Sequence, residues 1–252
     1  MMYVRKRGEI VVDTFVALDI ETTGLSPDKD KIIEIGALKV IKGQIVDQFS
    51  RLINPGIKLP DRIVEITGIQ DDMLVEEEGE DHVIPQFIDF LEDNILLGHN
   101  ILFDYSFIKA YMAKRRLAFV KQGIDTLTLS RELHVGLRSR SLASMCHYYG
   151  IHNPNAHRAF EDAKAASSLY FKMVEEFGEE KSEIFKVKEL IYKPPKNQTI
   201  TNKQKNYLLD LIKYHKINTQ SVLNEVSSID DLTKSQASRL IDKIILNHGR
   251  IL

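Results

Sequence analysis

Apolar positions follow two different periods along this chain, and the change of period divides its fold. Three strand-like runs come first: "DTFVALDI", "KIIEIGALKV" and "QIVDQFSRLI". The letters "IKG" between the last two are typical of a hairpin turn. Beyond them, "HVIPQFIDFLEDN" has helical spacing, which predicts a buried stripe of Val83, Ile84, Phe87, Phe90 and Leu91. Pro85 fits this helix only if it lies in the first turn.

The middle of the chain alternates between short strands and helices. A strand is predicted for "ILLGHN", a helix for "ILFDYSFIKAYMAKRRL" and a further extended segment for "GIDTLTL". Two more helices, "SLASMCHYYG" and "AFEDAKAASSLYFKMVEEFG", each end at a glycine. A strand meander followed by this alternation predicts an α/β fold, with a mixed sheet and helices packed against its faces.

The end of the chain differs from the rest in composition. A charged stretch containing Pro194 and Pro195 predicts a linker at 179–198, after a main domain at 1–178. Residues 199–252 then predict a small helical module, in which Thr233 and Gln236 form a capping box.

Charge is distributed unevenly between these parts. Residues 181–252 hold 13 basic and 7 acidic residues, whereas the rest of the chain is acidic and the total is -2. This basic module indicates either an anionic partner or an ordinary solvated helical surface.

Composition also limits where the protein works. With 43% hydrophobic residues in 252, the chain can bury a substantial core. Its single cysteine, Cys146, allows no intrachain disulfide, which indicates a reducing compartment. No apolar run approaches the roughly 18 residues of a membrane span, and "MMYVRKRGEIVV" lacks the features of a signal peptide. We therefore expect a cytoplasmic protein with no membrane partner.

Two acids at the end of the first strand raise the question of function. Asp19 and Glu21 are two residues apart, so they point to the same face, where their charges repel. A shared proton, a basic group or a divalent cation could offset that repulsion. Asp104 and Asp162 each lie early in a predicted helix and can reach the same edge. Four converging carboxylates suit hard cations such as Mg²⁺ or Mn²⁺.

The segments around these acids resemble a known family. "DIETTGL", "GHNILFD" and "HRAFEDA" are similar to the three motifs of the DnaQ-like (DEDDh) 3′ to 5′ exonucleases, which include the proofreading epsilon subunit of bacterial DNA polymerase III. The resemblance extends over roughly residues 13–175 and implies an RNase H-like mixed sheet flanked by helices. It implies that Asp19, Glu21, Asp104 and Asp162 hold two divalent cations, Mg²⁺ or Mn²⁺. It adds His157 as a fifth catalytic residue.

The resemblance also implies a mechanism and a substrate site. Two cations would assist hydrolysis of a phosphodiester, and His157 would accept the proton of the attacking water. The terminal nucleotide would be held by eight residues: Thr22, Thr23, Leu25, Thr67, Ile69, His99, Asn100 and Phe103.

Three functions remain open from the sequence. The first is a 3′ to 5′ exonuclease that releases nucleoside monophosphates from single-stranded or frayed DNA ends, either as a stand-alone nuclease or within a DNA polymerase or a replication or repair complex. The second is an exoribonuclease of the same fold, because nothing in the motifs detects a 2′-hydroxyl. The third is a non-catalytic nucleic-acid-binding module.

Overall fold

The protein consists of two compact units, residues 1–194 and 195–252. A computed structural model describes residues 12–193, 200–219 and 228–249. In that part of the chain no helix is both long enough and apolar enough to cross a membrane.

In the first unit, the described residues form one mixed sheet of six strands. Their order across the sheet is β3-β2-β1-β4-β5-β6, in which β1, β4 and β5 run parallel and the other neighbours pair antiparallel. The strands are β1 Phe15–Thr22, β2 Ile32–Ile41, β3 Gln44–Leu52, β4 Leu96–Gly98, β5 Gln122–Asp125 and β6 Lys188–Glu189. The three predicted opening strands and their hairpin are confirmed: Lys42 (φ 53°) and Gly43 (φ 74°) both take the left-handed conformation that a tight hairpin requires.

Seven α-helices of the described residues surround this sheet. They are α1 Asp61–Thr67, α2 Asp71–Leu74, α3 Glu80–Leu91, α4 Ile101–Lys114, α5 Thr126–Leu133, α6 Leu142–Tyr149 and α7 Ala159–Phe177. α3 and α4 bury their apolar side chains against one face of the sheet, and α5, α6 and α7 pack on the other. The predicted architecture of a mixed sheet between two helical layers is therefore confirmed.

Two predicted boundaries differ from the structure. α3 begins at Glu80, whose carboxylate accepts hydrogen bonds from Ile32 N (3.0 Å) and Lys31 Nζ (3.1 Å). Pro85 consequently lies inside the helix instead of in its first turn. The predicted extended segment "GIDTLTL" is a strand only as far as Asp125, whose side chain accepts a hydrogen bond from Leu127 N and starts α5.

The predicted linker begins too early. Residues 182–185 form a 3₁₀ helix, and Phe185 is buried in the core beside α7. β6 then pairs with β5, and Leu190 joins the core on the opposite face. These contacts place residues 179–193 in the first unit, and the division falls between Pro194 and Pro195.

The second unit is helical where the structure describes it. α8 spans Asn202–Tyr214 and α9 spans Lys234–His248, with a short 3₁₀ helix at Ile229–Asp231. Both α helices begin with a capping box, including the predicted pair Thr233 and Gln236. Leu208, Leu211, Ala237 and Ile241 contribute to a small buried core.

Candidate active site

The alternation of side chains in β1 sends its acids toward α7. Phe15 and Ala17 pack in the core under α7, while Leu18 and Ile20 belong to the opposite core. Asp19 and Glu21 continue the face of Phe15 and Ala17. They therefore lie where the N-terminus of α7 meets the sheet.

A glycine lets α7 approach these acids closely. Gly36 in β2 pairs with Asp19, and a Cβ at Gly36 would lie 2.0 Å from Phe160 N. Because glycine has no Cβ, the first turn of α7 can rest directly on the strand, which brings Asp162 to the acids of β1. The Asp162 carboxylate is held by Asn153 Nδ2 (2.6 Å) and by the backbone N–H of His157 (3.0 Å).

Asp104 reaches the site from the other helical layer. α4 begins directly after β4, which runs parallel to β1, so its first turn lies at the same edge of the sheet. The Asp104 carboxylate is buried and accepts a hydrogen bond from Ile20 N at 2.9 Å. It is therefore attached to the backbone between Asp19 and Glu21.

His157 lies at the exposed side of this cluster. It precedes α7 and has a left-handed backbone with φ 66°. One side-chain ligand atom from each of Glu21, His157 and Asp162 lies within 4.8 Å of the other two. The five residues predicted from the motifs thus converge on one edge of the sheet.

Comparison with known proteins identifies this arrangement. A family model described as "Exonuclease" matches residues 16–170. The DNA polymerase III subunit epsilon of Aquifex aeolicus is 35% identical over 173 residues, which cover 68% of this chain and 86% of that protein. This chain belongs to the DEDDh exonuclease family. The PolC-type DNA polymerase III of Thermotoga maritima is 43% identical over 163 residues, but these cover 64% of this chain and only 12% of that much longer protein.

Solved structures of exonucleases share the fold. The nuclease domain of 3′hExo, a DEDDh family member, superposes with a TM-score of 0.57 at 21% identity, covering 67% of this chain and 95% of that one. Exonuclease X superposes with a TM-score of 0.53 at 24% identity, covering 68% and 99%. The mixed sheet and its helical layers are therefore those of the RNase H-like exonucleases.

The acids of this DEDDh site repel one another strongly. Burial, followed by the charges of Asp162, Glu34 and Asp104, raises the pKa of Glu21 from 4.5 to about 8. Burial and then the charges of Asp104 and Asp162 also raise the pKa of Asp19 well above its ordinary value. The pKa of Asp104 is raised too, chiefly by burial. Crowded carboxylate oxygens are the ligands that hard divalent cations prefer, so this donor set fits such a cation.

Four of the predicted substrate residues are buried, and three of them support the surrounding loops. The Thr22 hydroxyl donates to Gly24 O (2.6 Å), and Thr23 Oγ1 accepts from Lys31 N (2.9 Å). Thr67 Oγ1 accepts a hydrogen bond from Ile69 N (3.1 Å). The Ile69 side chain is fully buried in a core cluster. The Ile69 side chain therefore has no exposed surface for a nucleotide.

His99 is also occupied by structural hydrogen bonds. Its Nε2 contacts Arg140 O (2.9 Å) and its Nδ1 contacts Thr126 Oγ1 (3.0 Å). A carbonyl oxygen only accepts, so Nε2 must carry a proton. Burial lowers the pKa of His99 and favours the neutral ring, and the Thr126 hydroxyl beside Nδ1 also donates to Gly98 O (3.1 Å). His99 thus joins α5 to the loop before α6 and has no free ring nitrogen for substrate.

The remaining predicted substrate residues have accessible surface. Leu25 is 85% exposed in the loop after β1. Asn100 is exposed at the start of α4, and Phe103 is partly buried against Phe107, with their ring centroids 5.0 Å apart. These three side chains can contact a nucleotide, and that contact remains a prediction.

Glu34 and Arg158 lie beside the acidic cluster and are not among the site residues predicted from the motifs. Glu34 pairs with Glu21 across β1 and β2, and its buried carboxylate binds Arg158 just after His157. A glutamate inside the apolar run "KIIEIGALKV" is a sequence signal that could have identified Glu34, because buried acids need partners.

Proposed function

We propose that this DEDDh exonuclease removes nucleoside monophosphates from the 3′ ends of single-stranded or frayed DNA by metal-assisted hydrolysis. The observation that carries the proposal is the convergence of Asp19, Glu21, Asp104 and Asp162 beside His157. The raised pKa values of Asp19, Glu21 and Asp104 indicate an acidic cluster that needs a positive charge to ionise fully at neutral pH.

In this mechanism the four acids would hold two divalent cations, Mg²⁺ or Mn²⁺. Such cations assist attack by water and stabilise the leaving oxygen of a phosphodiester. His157 accepts a proton from the attacking water, since its ring lies beside Glu21 and Asp162 at the exposed side of the cluster. Leu25, Asn100 and Phe103 orient the terminal nucleotide.

DNA is favoured as substrate by the names of the relatives. They include an epsilon subunit and PolC-type polymerases, so a DNA polymerase or a replication or repair complex is the proposed partner. Cytoplasmic location remains a prediction from the sequence. RNA is the alternative polymer, and the structural neighbours include a 3′-exonuclease that recognises a histone mRNA stem-loop.

Digestion of end-labelled oligonucleotides tests the direction, the polymer and the metal together. Single-stranded DNA, duplex DNA and RNA of matched sequence are each labelled at the 5′ end and incubated with Mg²⁺, Mn²⁺ or EDTA. A 3′ to 5′ enzyme gives a ladder of progressively shorter labelled products, whereas the opposite direction releases the label at once.

Variants of the acidic cluster supply the control for contaminating nucleases. Asp19→Ala and Asp162→Ala should abolish cleavage without unfolding the protein. Near wild-type Mg²⁺-dependent cleavage by either variant would refute the metal assignment, and absence of cleavage by the wild type on every substrate would favour a non-catalytic binding module.

A further inference from the structure

An ion pair between a buried glutamate and a partly exposed arginine lies directly behind the candidate active site. Glu34 in β2 is only 2% exposed. Its Oε1 accepts from Arg158 Nη2 (2.9 Å) and Nε (3.2 Å), and its Oε2 accepts from Ala159 N (3.0 Å). The planar guanidinium fork thus binds one carboxylate through two nitrogens, which fixes direction as well as distance.

This ion pair also starts α7. Arg158 is the N-cap residue of the helix, and its own side chain makes no capping hydrogen bond. Glu34 instead satisfies the N–H of Ala159, one of the donors that a helix leaves unpaired at its N-terminus. A residue 124 positions before Arg158 in the chain therefore caps the first turn of α7.

His157 is placed between this ion pair and Asp162. Its φ of 66° is a left-handed conformation that residues with a Cβ disfavour. On one side its backbone N–H is bound by Asp162 Oδ2 (3.0 Å), and on the other side the next two residues are bound by Glu34. Neither restraint involves the imidazole, which stays exposed and directed at the acids.

We propose that Glu34 and Arg158 are positioning residues that hold His157 in its left-handed conformation, so that its imidazole reaches the reacting water. The inference rests on the proposed function of His157 as proton acceptor. The substitution Arg158→Lys separates the geometry of the ion pair from its charge, because lysine keeps the positive charge but lacks the two-nitrogen fork.

The test measures single-turnover cleavage of 5′-labelled single-stranded DNA at saturating Mg²⁺. The variants are Arg158→Lys and the double variant Glu34→Gln with Arg158→Gln, which leaves no unpaired buried charge. Each is made in the wild-type protein and in the His157→Ala protein. We expect a loss of roughly 10- to 100-fold in the cleavage rate in the wild-type background. In the His157→Ala background we expect little further loss, because the ion pair acts through the missing ring.

Two further measurements exclude a general structural effect. Mn²⁺ affinity, measured by calorimetry, and DNA affinity should stay within about threefold of the wild type, since neither partner of the pair is a proposed metal ligand or substrate contact. The matched control is Arg115→Gln, which breaks the exposed ion pair between Arg115 and Asp81. It should leave the cleavage rate unchanged.

Failure of the positioning role of the ion pair and failure of the proton-acceptor role of His157 give different results. If His157→Ala cleaves as fast as the wild type, the proton-acceptor role fails. If His157→Ala is slow but Arg158→Lys is as fast as the wild type, His157 is catalytic and the positioning role of the fork is refuted. Equal losses from the Glu34 and Arg158 substitutions in both backgrounds would also refute it.

Discussion

Neutralising Glu21 should stabilise the metal-free protein at alkaline pH. The pKa of this carboxyl rises from 4.5 in the unfolded chain to about 8 in the fold, mainly because the side chain is buried and then because Asp162, Glu34 and Asp104 repel its charge. The folded state therefore keeps a proton that the unfolded state has lost. This contribution to stability is complete below about pH 4.5 and is lost as the pH rises through about 8.

The size of the effect follows from the pKa difference. Each unit corresponds to about 1.4 kcal/mol, so ionisation of Glu21 should destabilise the metal-free fold by on the order of 3 kcal/mol between pH 5 and pH 8. In a unit of this size that corresponds to a fall of roughly 6–12 °C in melting temperature. Glu21→Gln removes the titrating group and should remove most of that fall.

Thermal unfolding in EDTA at several pH values measures this difference directly. The matched control is Glu179→Gln, which removes an exposed acid after α7 and should follow the wild type. Saturating Mg²⁺ should raise the melting temperature of the wild type at pH 8 much more than that of Glu21→Gln, because binding to the folded state alone stabilises it. The electrostatic reasoning is refuted if the stability difference between Glu21→Gln and the wild type is the same at pH 5 and pH 8.

Three further predictions concern the proton acceptor His157, Gly36 in the sheet and the basic C-terminal module. His157→Ala should lower turnover far more than DNA affinity, because a proton acceptor acts only during the reaction. Cleavage rates and binding affinities measured with the same DNA test this. Gly36→Ala should lower the free energy of unfolding by about 1–3 kcal/mol in chemical denaturation, because its Cβ would displace α7. Truncation after Lys193 should leave single-turnover cleavage at saturating DNA unchanged but weaken binding at low salt, and equal salt slopes would contradict it.

Periodicity predicts most of the sheet and the long helices because their contacts are local or repetitive. Val83, Ile84, Phe87 and Leu91 recur at helical spacing and are all buried in α3. The segment "GIDTLTL" was predicted to be extended throughout, because "TLTL" alternates polar and apolar residues as a strand does. In the structure the Asp125 side chain caps a helix, and α5 begins at Thr126. β6 has two charged, exposed residues, so no apolar pattern marks its pairing with β5.

In the candidate site too, sequence patterns predict some residues and miss others. The spacing of Asp19 and Glu21 and the resemblance of the motifs predict the acids, and the structure brings them together. Partners far apart in sequence escape such reasoning: Glu34 and Arg158 are 124 residues apart, and His99 contacts a carbonyl 41 residues away. His99 lies inside a recognisable motif, yet both of its ring nitrogens bind the fold, so motif membership alone did not reveal its structural role.

The acids and the residues that support them should respond oppositely to substitution. Asp19 and Glu21 are crowded and partly buried, so removing either charge relieves repulsion in the metal-free fold. Gly36 and Asn153 carry no charge: the first allows α7 to touch the sheet, and the second donates to the Asp162 carboxylate. Loss of activity with a higher metal-free melting temperature is therefore expected for substitutions of Asp19 and Glu21, whereas loss of both activity and stability should identify a residue that supports the geometry of the cluster.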